Sequence, residues 1–155
     1  MVQTMSKPLI ISCVQLDHAK DLPLPSYESD AAAGMDLRVA LDTPVTLAPG
    51  ERGLLPTGLK LSIPIGYEVQ IRPRSGLAIK HGITMLNSPG TIDADFRGEL
   101  HLIAINHGQV SFTIHHGDRM AQMVVQKVEQ ARLNPVRELD ETQRGEQGFG
   151  STGVS

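Results

Sequence analysis

Between residues 9 and 135 the chain sets short apolar stretches between Gly and Pro at close intervals, and no helical stripe persists for three turns. That pattern predicts an all-β chain, because a strand shows its buried side every second residue and a helix every third or fourth. Tyr67, Val69 and Ile71 alternate with Glu68, Gln70 and Arg72, as a half-buried strand requires. Leu100, Leu102 and Ala104 alternate with His101, Ile103 and Ile105, so both faces of that strand are expected to be buried. Turn signals fall at 48–51, 56–58, 64–66, 87–90, 106–109 and 116–118. About ten short strands in a sandwich or jelly roll use them all.

Two stretches depart from the pattern. Residues 75–81 (SGLAIKH) lack alternation and predict one or two helical turns, capped by Ser75 and stopped by Gly82. Residues 120–128 fit either a strand or a short amphipathic helix, and context favours the strand. No repeat or linker divides the chain. The expected organisation is a polar leader over 1–8, one β domain over 9–138 and a tail over 139–155 in which regular order ends.

With 40% apolar and 20% charged residues, the 155-residue chain can bury one core. A formal charge of −3 offers no basic field, so nucleic acid is not an expected partner. A single cysteine excludes an internal disulfide, and no long apolar run suggests a signal peptide or membrane span, so the expected compartment is the cytoplasm. Cys13 itself, in an apolar strand without evident partners, reads as a core residue and not a nucleophile.

The chemistry is concentrated in a few segments. Asp93 and Asp95 stand two apart in GTIDADFRG, where an extended strand puts both carboxylates on one face as a base or metal site; an Asp-rich hairpin bonding its own amides is the alternative. Arg72, Arg74, Ser75 and Gly76 supply two guanidinium groups, a hydroxyl and an unhindered amide at a strand end, which suits phosphate or, more plainly, a helix start with solvated arginines. Arg119 and Gln122 follow a turn and can serve an acid elsewhere, while Asp36 in AGMDL can orient a metal-bound water or satisfy a neighbouring amide. Adjacent His115 and His116 read as turn or surface histidines. The tail keeps Phe149, one of only five rings, among glycines, with Arg144 nearby; a Gly-rich backbone can wrap phosphate, and a ring can stack on a base.

In order along the chain, AGMDL at 33–37, RPRSGLA at 72–78, NSPGTIDADFRGEL at 87–100, GDRMAQMV at 117–124 and RGEQGFGSTG at 144–153 resemble the five motifs of the trimeric deoxyuridine triphosphatases (dUTPases). The resemblance spans nearly the whole chain. It implies a distorted β jelly roll with one short helix, assembled as a homotrimer whose three sites each draw on all three subunits. It also implies hydrolysis of dUTP to dUMP and pyrophosphate, which keeps uracil out of DNA and supplies dUMP for thymidylate synthesis.

By the same resemblance, Asp93 deprotonates a water aimed at the α-phosphorus, with Arg119 and Gln122 organising the site around it. Arg74, Ser75 and the Gly76 amide hold the phosphates, and Ser75 stabilises the departing bridging oxygen. Mg²⁺ bridges the phosphates and meets the protein through water, with Asp36 the nearest acid. Asn87, Thr91 and Ile92 belong to the hairpin that reads uracil, Phe96 lies under the deoxyribose, and Arg144, Phe149 and Gly150 close over the nucleotide. His101 is carried as a further substrate contact at a position variable in the family. Phe96 replaces the family's usual Tyr, retaining the ring without its hydroxyl, and Met35 stands where a larger residue is common. The related dCTP deaminases share the fold and phosphate grip but use a Glu in their deamination site, and Asp93 in GTIDADFRG argues against that reading; a noncatalytic nucleotide-binding trimer would lack the acid or the tail.

Overall fold

Ten strands carry the regular structure among the residues described, 7–150 and 152–153 of a computed structural model. In chain order they are β1 (Ser12–Gln15), β2 (Met35–Arg38), β3 (Val45–Leu47), β4 (Arg52–Ser62), β5 (Tyr67–Arg72), β6 (Ile83–Met85), β7 (Gly90–Ile92), β8 (Glu99–Asn106), β9 (Phe112–Ile114) and β10 (Arg119–Lys127). A 3-10 turn, Asp17–Ala19, and one helix, α1 (Ser75–His81), complete the set. Most of the expected leader, residues 1–6, lies outside the described residues, as does Ser151 in the tail.

The strands form an antiparallel sheet in the order β1-β4-β8-β6, a second in the order β2-β10-β5-β7, and a short β3-β9 pair. Neighbours within a sheet are distant in sequence, which is the jelly-roll arrangement. Leu37, Leu55, Val69, Leu100, Leu102, Ile114 and Met120 are fully buried between the layers. The core is aliphatic, each such side chain contributing about 1.5–3 kcal/mol on burial. The rings stay outside it: Tyr27, Phe96 and Phe149 are exposed, and Tyr67 and Phe112 only pack against its rim.

Several expectations need correction. The signal at 56–58 is a bulge inside β4, where pairing with β8 slips between Pro56 and Lys60. Gly58 adopts φ +70°, and a Cβ there would sit 2.2 Å from that of Ala19, so only glycine fits. Ser75 does not cap α1, because it is the first helical residue and extended Arg74 takes the cap position; Gly82 ends the helix in the left-handed region as expected. Cys13 is exposed, since β1 is an edge strand and not core. The second face of β8 is covered only toward Asn106, leaving His101 exposed and Ile103 half-buried.

Two polar residues tie loops to this frame. His116 accepts the Leu41 N–H on Nδ1 at 3.0 Å, and its Nε2 bonds Asp21 at 2.8 Å, which holds the Asp21 carboxyl below its ordinary range. Buried Asn106 donates to the carbonyls of Leu47 and Val110, each at 2.8 Å, and accepts from the Gly108 N–H at 2.8 Å. Asn106→Ala strands all three groups and is expected to destabilise the domain by about 2–4 kcal/mol in urea denaturation.

Candidate active site

Sheet register gathers the first group of side chains. Asp36 on β2 lies opposite Gln122 on β10, which lies opposite Arg72 on β5. These strands alternate inward and outward, so the three residues form one row across the outer face of the sheet. Arg74, just beyond β5, donates from Nε to Asp36 Oδ1 at 3.0 Å and from Nη1 to the Arg119 carbonyl at 2.9 Å. Arg119 Nη1 reaches Asp36 Oδ2 at 3.4 Å. One half-buried carboxylate thus holds two guanidinium groups, and the pair keeps a surplus positive charge.

Gln122 is fixed by donating from Nε2 to the Pro73 carbonyl at 3.1 Å. Arg72 donates from Nε and Nη2 to Gln70 Oε1, at 3.1 and 2.8 Å, and Gln70 donates to Glu68 at 2.5 Å. Ser75 and Gly76 are exposed at the start of α1, where no side chain caps the helix. Their backbone N–H groups lack helical partners and face solvent beside the arginines, a combination suited to a polyanion.

The acidic segment lies elsewhere. Thr91 and Ile92 pair with Gln70 and Val69, and β7 ends there. The Phe96 N–H returns to the Asp93 carbonyl at 3.2 Å, closing a turn that Arg97 braces by donating to the Ala94 and Phe96 carbonyls. Asp93 and Asp95 are therefore not on one face of an extended strand, as the spacing predicts; they are exposed at a turn lining an open cleft with Tyr67, Glu68 and Val128. Asp93 flanks the start of β5 and Ser75 lies beyond its end. At about 3.3 Å per residue, roughly 20 Å separates them within one chain.

Other expected residues are dispersed. Asn87 is exposed in the turn before β7, and the Phe96 ring lies over Gly98. His101 stands on the opposite sheet, its Nε2 3.8 Å from Glu99, whose other oxygen is 2.6 Å from His18. Arg144, Phe149 and Gly150 occupy the tail, where Arg144 Nε donates to the Gln147 carbonyl at 2.9 Å and Phe149 is fully exposed at φ +51°. The chain joins Asp36, Arg74, Arg119 and Gln122 directly, with Ser75 and Gly76 alongside; it does not bring Asp93, His101 or the tail to them. Arg72 joins this face as the sequence predicts; Glu68 and Gln70, which extend it along β5, have period-two spacing in the sequence but no chemical signal there.

A family model described as dUTPase matches residues 20–153. The chain belongs to the dUTPase family. It is 56% identical over 149 residues to the deoxyuridine 5'-triphosphate nucleotidohydrolase of Rhizobium etli, covering 95% of this chain and 96% of that protein. It is 59% identical over 133 residues to the protein of the same name from Desulfotalea psychrophila, covering 86% and 89%. Among solved structures, the dUTPase of Staphylococcus bacteriophage 80alpha with dUPNHPP superimposes at a TM-score of 0.83 and 27% identity, covering 94% of this chain and 99% of that one. For this dUTPase-family chain, no helix among the described residues is long and apolar enough to cross a membrane.

Proposed function

We propose that this chain is a dUTP diphosphatase, releasing dUMP and pyrophosphate by in-line attack of water on the α-phosphorus. The observation that carries the reading is the polyanion-binding cluster of Arg74, Arg119, Ser75 and the Gly76 amide in a chain whose close relatives carry the dUTP hydrolase name. Arg74 and the exposed amides bind the phosphates, Ser75 donates to the bridging oxygen as it departs, and Asp93 orients the water and takes its proton.

Because Asp93 lies roughly 20 Å from this cluster in its own chain, one subunit's Asp93 must meet another's arginines for the reaction to occur. That requirement supports sites shared between subunits, as in the homotrimer that the family resemblance implies. The exposed apolar residues Leu133, Val136 and Leu139 beyond β10 are consistent with chain segments that pack on a neighbouring copy.

Among the described residues, no group of three or more His, Cys, Asp or Glu side chains can hold a metal. Both Asp36 oxygens are already engaged by arginines. The described residues offer no set of direct ligands, so Mg²⁺ would be carried on the triphosphate, with Asp36 the acid nearest to its water shell, and would supply positive charge to offset that on the departing pyrophosphate.

Uracil is read by backbone groups of the segment 83–93 with Asn87, which crosses from β6 in one sheet to β7 in the other and is not the paired hairpin expected; the thymine methyl is refused by close packing there, and Phe96 leaves no space for a 2′-hydroxyl. A Mg²⁺-dependent pyrophosphate-release assay is expected to rank dUTP above dTTP, dCTP and UTP. Equal release from all four defeats the specificity reading, and ammonia from dCTP without pyrophosphate from dUTP defeats the reaction itself.

A further inference from the structure

Neither Gly34 nor Gly98 has a positive φ, so the left-handed region does not demand glycine at either position. Space is the constraint at both. A Cβ on Gly34 would lie 2.6 Å from Gln122 Oε1 and 3.3 Å from Val124 Cγ2. A Cβ on Gly98 would lie 2.6 Å from Phe96 Cζ and 3.0 Å from its Cε2. In each case the closest atom belongs to a side chain already assigned to the site, and to its movable end and not to the frame.

Neither side chain is held by burial alone. Gln122 is half-buried and, among the described residues, its side chain makes one hydrogen bond, from Nε2 to the Pro73 carbonyl, which leaves Oε1 lying on the bare Gly34 backbone. Phe96 is 43% exposed, and its ring rests on Gly98 one turn edge away. A side chain with few fixed contacts keeps one rotamer only if its alternatives are worse, and a flat glycine beneath it supplies the space for one.

We propose that Gly34 and Gly98 are positioning residues, each a seat that fixes the rotamer of a site side chain, Gln122 and Phe96 respectively. The proposal rests on the dUTPase reading of the site and adds a role for residues that touch no substrate. An added methyl is relieved by swinging a mobile tip away, so the fold survives while the group that should face the reaction is misplaced.

Gly34→Ala tests the first seat. The melting temperature is expected to stay within about 2 °C and KM for dUTP within about threefold, while kcat falls by about 10- to 100-fold, the scale of a misplaced positioning group. Gln122→Ala should show a similar loss, and Gly34→Ala with Gln122→Ala together should be no worse than Gln122→Ala alone. A double variant whose loss is the product of the single losses overturns the proposal, as does wild-type kcat in Gly34→Ala. Should Gly34→Ala alone fail to fold, the double variant, which lacks the obstructing amide, must fold; failure of both makes Gly34 structural and sinks the seat.

Gly98→Ala is expected to raise kcat/KM for UTP relative to dUTP by about tenfold, the same effect expected of Phe96→Ala, with no further rise when the two are combined. An unchanged ratio removes Gly98 from the proposal. The side-chain amide signal of Gln122 in NMR separates the two levels of inference. It must shift in Gly34→Ala whether or not the wild type hydrolyses dUTP, whereas a wild type inactive on dUTP refutes the substrate reading alone.

Discussion

Asp93→Asn is expected to lower dUTP turnover by about 10²- to 10⁴-fold, the loss that accompanies removal of a general base. The fold should be indifferent to the change. Asp93 is exposed after β7, and among the described residues its carboxylate makes no hydrogen bond or ion pair; the turn is closed by its backbone carbonyl and by Arg97. Asparagine keeps the shape and the ability to orient water but cannot take its proton. Binding of a nonhydrolysable dUTP analogue should therefore persist within a few-fold while pyrophosphate release collapses. Asp95→Asn, two residues on at the same turn, is the matched control and should cost less than about tenfold. Equal losses at both positions would mean that the segment's charge matters and no single base acts; wild-type turnover in Asp93→Asn would transfer the chemistry to another group.

How much of this could be read from the sequence depends on how far apart the interacting residues lie along the chain. The alternation of Glu68, Gln70 and Arg72 with Val69 and Ile71 states which face of β5 is polar, and the structure uses that face. The row that joins Asp36, Gln122 and Arg72 could not be read the same way, because it depends on cross-strand register between elements distant in sequence. Gly and Pro at 56–58 announce a departure from regular strand but not which one; a bulge and a turn use the same residues, and the crowding by Ala19 that decides it is tertiary. Ser75 carried the usual signature of a cap, yet extended Arg74 precedes it and takes that place, leaving the hydroxyl exposed. The same limit explains the exposed Cys13: an apolar strand is recognisable locally, whereas its place at a sheet edge is set by the topology. Gly34 lies in AGMDL, but nothing in that motif states its role, since space beside Gln122 exists only after β2 and β10 pair.

Removing residues 144–155 is expected to leave the assembly and its melting temperature intact and to reduce turnover by about 10²-fold or more, the cost of losing a phosphate contact and the closure that excludes water. The first half of that expectation follows from the tail's contacts. Among the described residues its hydrogen bonds, from the Gly145 N–H to Thr142, between Arg144 and Gln147, and from the Gly153 N–H to the Gly150 carbonyl, lie within the tail itself. None of these reaches the β sandwich, so their loss removes no support from the frame. The second half follows from Phe149, a fully exposed ring held at φ +51° between glycines, a conformation costly for a bulky side chain and, among the described residues, without packing to offset it. In the proposed reading, the uracil face in a site shared with neighbouring subunits is the apolar surface that would receive this ring. Phe149→Ala should then raise KM and lower kcat less than the truncation does, while Arg144→Ala, which removes the cation assigned to the γ-phosphate, should weaken triphosphate binding more than dUMP binding. If the truncated enzyme, still trimeric by light scattering, turns over dUTP at the full rate, the tail is not the closing element and the exposure of Phe149 serves another purpose.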